Sequence, residues 1–256
     1  MAATFLQLTN EILREINEVP LTSSNFADAI GIQAHTKDCI NRAYLDIVTE
    51  EPKLPFLATA LSGATDPMYG NVSVETVAGQ RWYKLKAESS SYTTDFGAID
   101  WENFYITTID VSGESAPYVS KNLRFISTET WKDFKRASEN NDDADTQNWG
   151  EPNSVIRSPD GRNFGLSPIP KQVYKVWFFA WDLPTELSSY SDEIVFPDLY
   201  KSVVLAKARY YIWQFKENPQ AAAFALEDYK RGLGRMRSNL LEPAPSYFKD
   251  DRVAFI

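Results

Sequence analysis

Apolar residues recur at spacings of three and four at both ends of this 256-residue chain, and alternate or run together in strand fashion between them. This division constrains the fold more than any other feature, because a three-to-four spacing lines one face of a helix and a spacing of two lines one face of a strand. At the start, Phe5, Leu8, Ile12, Ile16 and Val19 form one helical stripe, and Thr4 with Gln7 fits a capping box ahead of it. A second helix is predicted over Thr36–Thr49, with Cys39, Ile40, Ala43, Tyr44 and Ile47 as its apolar face. Near the end, Phe196-Pro197-Asp198 opens a helix that runs to Phe215, since proline suits a first turn and Asp198 favours the positive end of the dipole. Its stripe is Leu199, Val203, Ala206, Tyr210 and Trp213. The turn KENPQ leads into a second helix over residues 220–241, where Ala221, Ala222, Ala223 and Ala225 present a small face. A large aromatic face opposite a small alanine face is how two helices pack closely.

The middle reads as strands and turns. VSVETVAGQRWYKLK predicts a hairpin turning at Ala78-Gly79-Gln80, and WENFYITTI and NLRFIS predict further strands. SVIRSPDGRNFGLS is the clearest hairpin, with Pro159, Asp160 and Gly161 suited to a turn closed by a left-handed glycine. STETWKDFKRA interrupts the strands with a short helix. QVYKVWFFAWD predicts one long strand, apolar on both faces apart from Lys175 and therefore covered on both. The fold class expected is α+β: a helical bundle made by both chain ends, a β-rich insertion and an extended C-terminal arm. The expected divisions are an N-terminal helical pair over 1–51, the insertion over 52–194, a helical hairpin over 195–242 that packs on the N-terminal pair, and the arm over 243–256.

Composition excludes several classes. The aromatic content of 14% suits a β-rich, aromatic-packed portion. No apolar run approaches the roughly 18 residues of a membrane span, and the first residues, carrying Glu11, Arg14 and Glu15, do not read as a signal peptide. A single cysteine permits no intrachain disulfide, which suits folding in a reducing cytoplasm. The net charge of −9 is uneven: residues 198–256 hold ten Lys/Arg against seven Asp/Glu, and the remainder is strongly acidic. An acidic body argues against general DNA binding on the outer surface.

No chemical motif stands out. His35 and Cys39 fall four apart, as a helical pair would, but a nucleophilic dyad also needs an orienting group and an oxyanion hole. Two ligands do not make a structural zinc site, and no cofactor is expected. Asp142, Asp143 and Asp145 lack the frame of a calcium loop. Asp100, Trp101, Glu102 and Tyr105 offer a glycosidase-like or sugar-binding grouping, against which stands the ordinary reading of aromatic strand residues as core. Lys230, Arg231, Arg235 and Arg237 form a cationic helical face that fits a solvated surface, an acidic partner or nucleic acid. The chain is therefore read as a non-enzyme. Beyond Leu241, the prolines of EPAPSYFKDDRVAFI stop the helix, yet Tyr247, Phe248, Val253, Phe255 and Ile256 are apolar. Such an end either folds back on its own domain or docks on a partner.

The segment FPDLYKSVVLAKARYYIWQFKENPQAAAFALEDYKRGLGRM resembles the C-terminal helical pair of head-to-tail adaptor proteins of short-tailed double-stranded DNA phages. The pattern is carried by Phe196, Pro197, Tyr200, Tyr210, Tyr211, Ala221 to Ala223, Tyr229, Gly232 and Leu233. TFLQLTNEILREINEVPLTSSNF is similar to the start of such proteins, and DADTQNWGEPNSVIRSPDGRNFGLSPIP to virion proteins of this kind in cyanobacterial and other marine phages. The resemblance implies a virion protein at the head–tail junction, made in the host cytoplasm. It further implies a ring of copies, typically a dodecamer, between the portal protein and the tail nozzle or tube, with double-stranded DNA passing through its lumen. Tyr247, Phe248, Val253, Phe255 and Ile256 would then be the portal-binding residues. Leu199, Val203, Ala206, Tyr210, Trp213, Ala221, Ala222 and Ala225 would pack the hairpin. The alternative is a glycan-binding β module of a tail or surface protein, using Trp101 or Trp181.

Overall fold

The computed structural model describes residues 3–59, 70–85, 96–108, 121–137, 149–159 and 161–240. The chain forms two compact units: Met1–Phe56 with Pro184–Ile256, and Leu57–Leu183. The first is helical and the second β-rich, so the molecule is mixed α+β, with five α-helices among the described residues.

In the helical unit, α1 spans Phe5–Glu15 and α2 spans Ile32–Glu50. The capping box forms: Thr4 Oγ1 accepts from the Gln7 amide at 3.3 Å, and Gln7 Oε1 accepts from the Thr4 amide at 3.0 Å. Phe5, Leu8 and Ile12 are buried as the stripe requires, but Val19 is 72% exposed. The helix has ended before it, and Asn17, at φ 59°, turns the chain away. The Asn10 amide then pins the connection by two hydrogen bonds to Leu21, and Phe26 closes edge-on against Phe5 at 5.1 Å. Helix α2 begins four residues ahead of the predicted Thr36 and buries Cys39, Ile40, Ala43, Tyr44 and Ile47.

The C-terminal hairpin consists of α4, Lys201–Phe215, and α5, Pro219–Leu240. A 3-10 turn, Asp198–Tyr200, leads into α4. Between the helices Glu217 takes φ 54°, Asn218 Oδ1 accepts from the Ala221 amide at 3.1 Å, and Pro219 fills the first helical position. Helix α4 lies against both α2 and α5. Gly232 permits the second contact: a Cβ there would stand 3.1 Å from Val203 Cγ2.

In the β-rich unit, seven strands form one sheet in the order β1-β10-β4-β5-β7-β8-β2. They are β1 (Val72–Glu75), β10 (Tyr174–Phe178), β4 (Phe104–Thr108), β5 (Lys121–Ile126), β7 (Ser154–Arg157), β8 (Asn163–Ser167) and β2 (Trp82–Lys84). Strands β3 (Phe96–Ile99) and β11 (Ala180–Asp182) pair separately, as do β6 (Trp149–Gly150) and β9 (Ile169–Pro170). Helix α3 is Thr128–Ala137. The hairpin of β7 and β8 forms as expected, with Gly161 at φ 69° and its amide donating to the Ser158 carbonyl at 3.0 Å.

Two strand expectations fail. VSVETVAGQRWYKLK is not a hairpin: β1 pairs with β10 and β2 with β8, at opposite edges of the sheet. The turn is present, but the Tyr83 hydroxyl occupies it, accepting from the Val77 amide and lying 3.0 and 2.6 Å from the Val77 and Gln80 carbonyls. QVYKVWFFAWD is not one strand either, since it breaks at Phe179 and β11 joins β3. Strand β10 is covered on both faces as predicted. Tyr174, Val176 and Phe178 enter a core with Phe104, Phe164 and Tyr83, while Trp177, on the other face, donates to Thr107 Oγ1 at 3.0 Å.

Candidate docking surfaces

The hairpin is the best-defined surface-bearing element, and burial shows how it is used. Val203, Ala206, Ala222 and Ala225 are buried, and Tyr210, Trp213 and Ala221 are half-buried. Leu199 is 74% exposed; it sits in the 3-10 turn, outside the helical register that would carry it to the seam. Sequence periodicity missed Val204, Leu205, Ala208 and Ile212, which are also buried. The signal for them was the nearly continuous run VVLAKA, which marks a helix covered on more than one side.

Lys207 interrupts that run and is only 8% exposed. Its Nζ donates to Glu50 Oε1 at 2.9 Å and lies 4.3 Å above the Tyr229 ring. The other Glu50 oxygen accepts from the Tyr229 hydroxyl. Burial alone would raise the Glu50 carboxyl. The hydrogen bonds from Tyr229 and Lys207, with the charges of Lys207 and Arg237, outweigh it and hold the group below its ordinary range. Burial also pushes the Tyr229 hydroxyl well up, and the bond to Glu50 adds to it. Tyr211 shifts the same way, through burial first and then its bond to Asp46. Four more ion pairs join the same two chain segments: Glu11–Lys201 at 2.8 Å, Glu18–Lys216 at 4.0 Å, Glu15–Arg209 and Glu51–Arg237. In all five the acid belongs to the N-terminal segment and the base to the hairpin.

His35 Nε2 lies 3.4 Å from Cys39 Sγ, and its ring packs on Phe215 at 4.1 Å. The Cys39 thiol is pushed up to about 11 by burial, with the Asp38 charge adding and the Arg42 charge opposing. A thiol in that state is not an activated nucleophile. Among the described residues no group of three or more His, Cys, Asp or Glu is placed to hold a metal ion. Asp142, Asp143 and Asp145 lie outside the described residues, as do Tyr247, Phe248, Val253, Phe255 and Ile256. Asp100 accepts from the Glu102 amide and from Asn103 Nδ2, so it shapes the turn before β4. Trp101 stacks on Phe104 at 5.4 Å and lies 5.6 Å from the Arg157 guanidinium. Lys230 and Arg235 are exposed on α5, while Arg231 pairs with Glu227 and Asp228 of its own helix. No described helix is long and apolar enough to cross a membrane.

Large apolar residues are exposed at several places among the described residues, Val19, Ile30, Phe215 and Phe224 among them. Phe215 is 59% exposed, Phe224 is 70% exposed, and Leu199 lies open at the other end of α4. An open groove of about 530 Å³ runs along the α4–α5 seam beside the turn, lined chiefly by Tyr210, Gln214, Glu217, Ala222, Ala223 and Leu226. Exposed apolar side chains of this size are a feature of surfaces that meet other proteins. The chain matches the SU10 adaptor protein family over residues 3–247, and it belongs to that family of phage adaptors, which makes it a virion component. No curated protein matches it in sequence.

Proposed function

We propose that this chain is a non-enzymatic head-to-tail adaptor that forms a ring, a dodecamer, between the portal protein and the tail nozzle or tube. Double-stranded DNA passes through the lumen, and the strongly acidic body keeps the wall from gripping it. Residues 243–256 leave the helical bundle as an extended arm, and Tyr247, Phe248, Val253, Phe255 and Ile256 attach it to the portal. The observation that carries the reading is the family match across nearly the whole chain. Exposed apolar residues on the hairpin support it, since repeated complementary surfaces are what close a ring. No observation favours the glycan-binding alternative.

The test is a mass measurement of the purified protein with and without its portal. A ring-sized species on the portal is expected, and a chain that stays monomeric when mixed with the portal overturns the proposal. Deleting residues 244–256 is expected to abolish that association while shifting the melting temperature by a few degrees at most, as about 1 kcal/mol would in a chain of this size. A truncated chain that still joins heads to tails would show that the arm does not carry the attachment.

A further inference from the structure

We propose that, before the protein meets any partner, the apolar end of its own tail, Val253–Ile256, rests in the groove between α4 and α5. This goes beyond the attachment role by giving the arm a free-state position, and it needs no portal to be tested. The groove is open, falls within the roughly 300–1,000 Å³ range of small-ligand sites, and counts Tyr210, Ala222, Ala223 and Leu226 among its lining residues. Those residues are too small or too few to close it themselves. An occupant therefore has to bring large apolar side chains, and Val253, Phe255 and Ile256 are such residues within four positions.

Chain length permits the contact. Helix α5 ends at Leu240, so its last residue stands about 26 Å from Ala223 at 1.5 Å per residue. From Leu240 to Val253 an extended chain reaches about 43 Å, at roughly 3.3 Å per residue. Pro243 and Pro245 stop the helix from carrying the tail further away, so the chain is free to double back along the hairpin. A tail tethered to the same chain is present at an effective concentration on the order of millimolar, which favours it over a second copy in dilute solution. An apolar arm held in this way is shielded from water until a stronger site competes for it.

The experiment uses the full chain without portal. Phe255 is replaced by the photo-crosslinking residue p-benzoylphenylalanine, and isotopically light and heavy copies are mixed before irradiation. Mass spectrometry is expected to map crosslinks to the peptides holding Tyr210–Gln214 and Ala222–Leu226, within single copies only. Two groove variants, Leu226→Asp and the exposed-site Ala223→Arg, are expected to cut the crosslink yield about tenfold, the loss that accompanies a tenfold change in docking constant. Ala223→Arg is a helix-compatible change at an exposed position, so it keeps the test valid if Leu226→Asp perturbs folding. Crosslinks elsewhere, none at all, or a yield that ignores Ala223→Arg overturns the proposal. Crosslinks joining light to heavy copies overturn it too, and place a second copy's tail in the groove instead. Loss of portal binding with an intact crosslink would count against the adaptor attachment alone.

Discussion

Lys207 is a charged residue inside the otherwise apolar run VVLAKA. It is buried because α4 lies against both α2 and α5. Its charge is kept by Glu50 and by the Tyr229 ring. Removing it leaves the Glu50 carboxylate, whose side chain is 41% exposed, without its closest cation. Lys207→Ala should therefore destabilise the chain by about 1–2 kcal/mol, the lower part of the range for charged hydrogen bonds because Glu50 is still partly hydrated. Chemical denaturation would measure it. The pH dependence follows from the direction of the Glu50 shift. A carboxyl depressed in the folded state contributes stability that is fully present above its ordinary value, near 4.5, and is lost as pH falls through the lower folded value. Glu50→Gln should thus be less stable than the parent at pH 7 and should lose less stability on acidification through that window.

Elements were legible where the signal is local and hidden where it is not. The capping box, the β7–β8 hairpin and the helical stripes short of Val19 and Leu199 depend on neighbours in sequence, and these are present. The partners of β1 and β2 lie on strands 106 and 83 residues further along the chain, in no local pattern: Val72 faces Phe178 and Trp82 faces Gly165. A turn signal at Ala78-Gly79-Gln80 says that the chain reverses but not that its arms pair. Tyr83→Phe tests what holds that turn. It removes the hydroxyl that serves Val77 and Gln80 while keeping the ring in the core, and should cost about 1–2 kcal/mol by thermal or denaturant melting. Helix α5 offers a paired test at Gly232 and Gly234. A Cβ at Gly234 meets nothing within 4 Å, so Gly234→Ala should stabilise by up to about 1 kcal/mol through helix propensity. At Gly232 the same gain is opposed by the Val203 methyl at 3.1 Å, so Gly232→Ala should gain less or lose. Equal effects at both sites would refute this account of the α4–α5 contact.

At the scale of the whole molecule, the sequence showed an acidic body and a basic C-terminal segment, and the structure turns that contrast into pairing within the helical unit. Acids of the N-terminal segment meet bases of the hairpin in five ion pairs. The sequence could not show this, because periodicity locates faces but not which charges oppose one another across them. The four pairs other than Lys207–Glu50 are partly exposed, so each is worth about 0.2–1 kcal/mol, and salt should screen much of that. A double-mutant cycle on Glu15 and Arg209, using Glu15→Gln and Arg209→Gln, should give a favourable coupling of about 0.5 kcal/mol at low ionic strength that shrinks towards zero near 1 M sodium chloride. The exchange Glu15→Arg with Arg209→Glu should recover most of the stability that either change alone removes. If the coupling is absent at low salt, or if the exchanged pair is no better than the single variants, the two segments are held by their apolar stripes alone. The charge contrast would then have to be explained by surfaces that face other proteins.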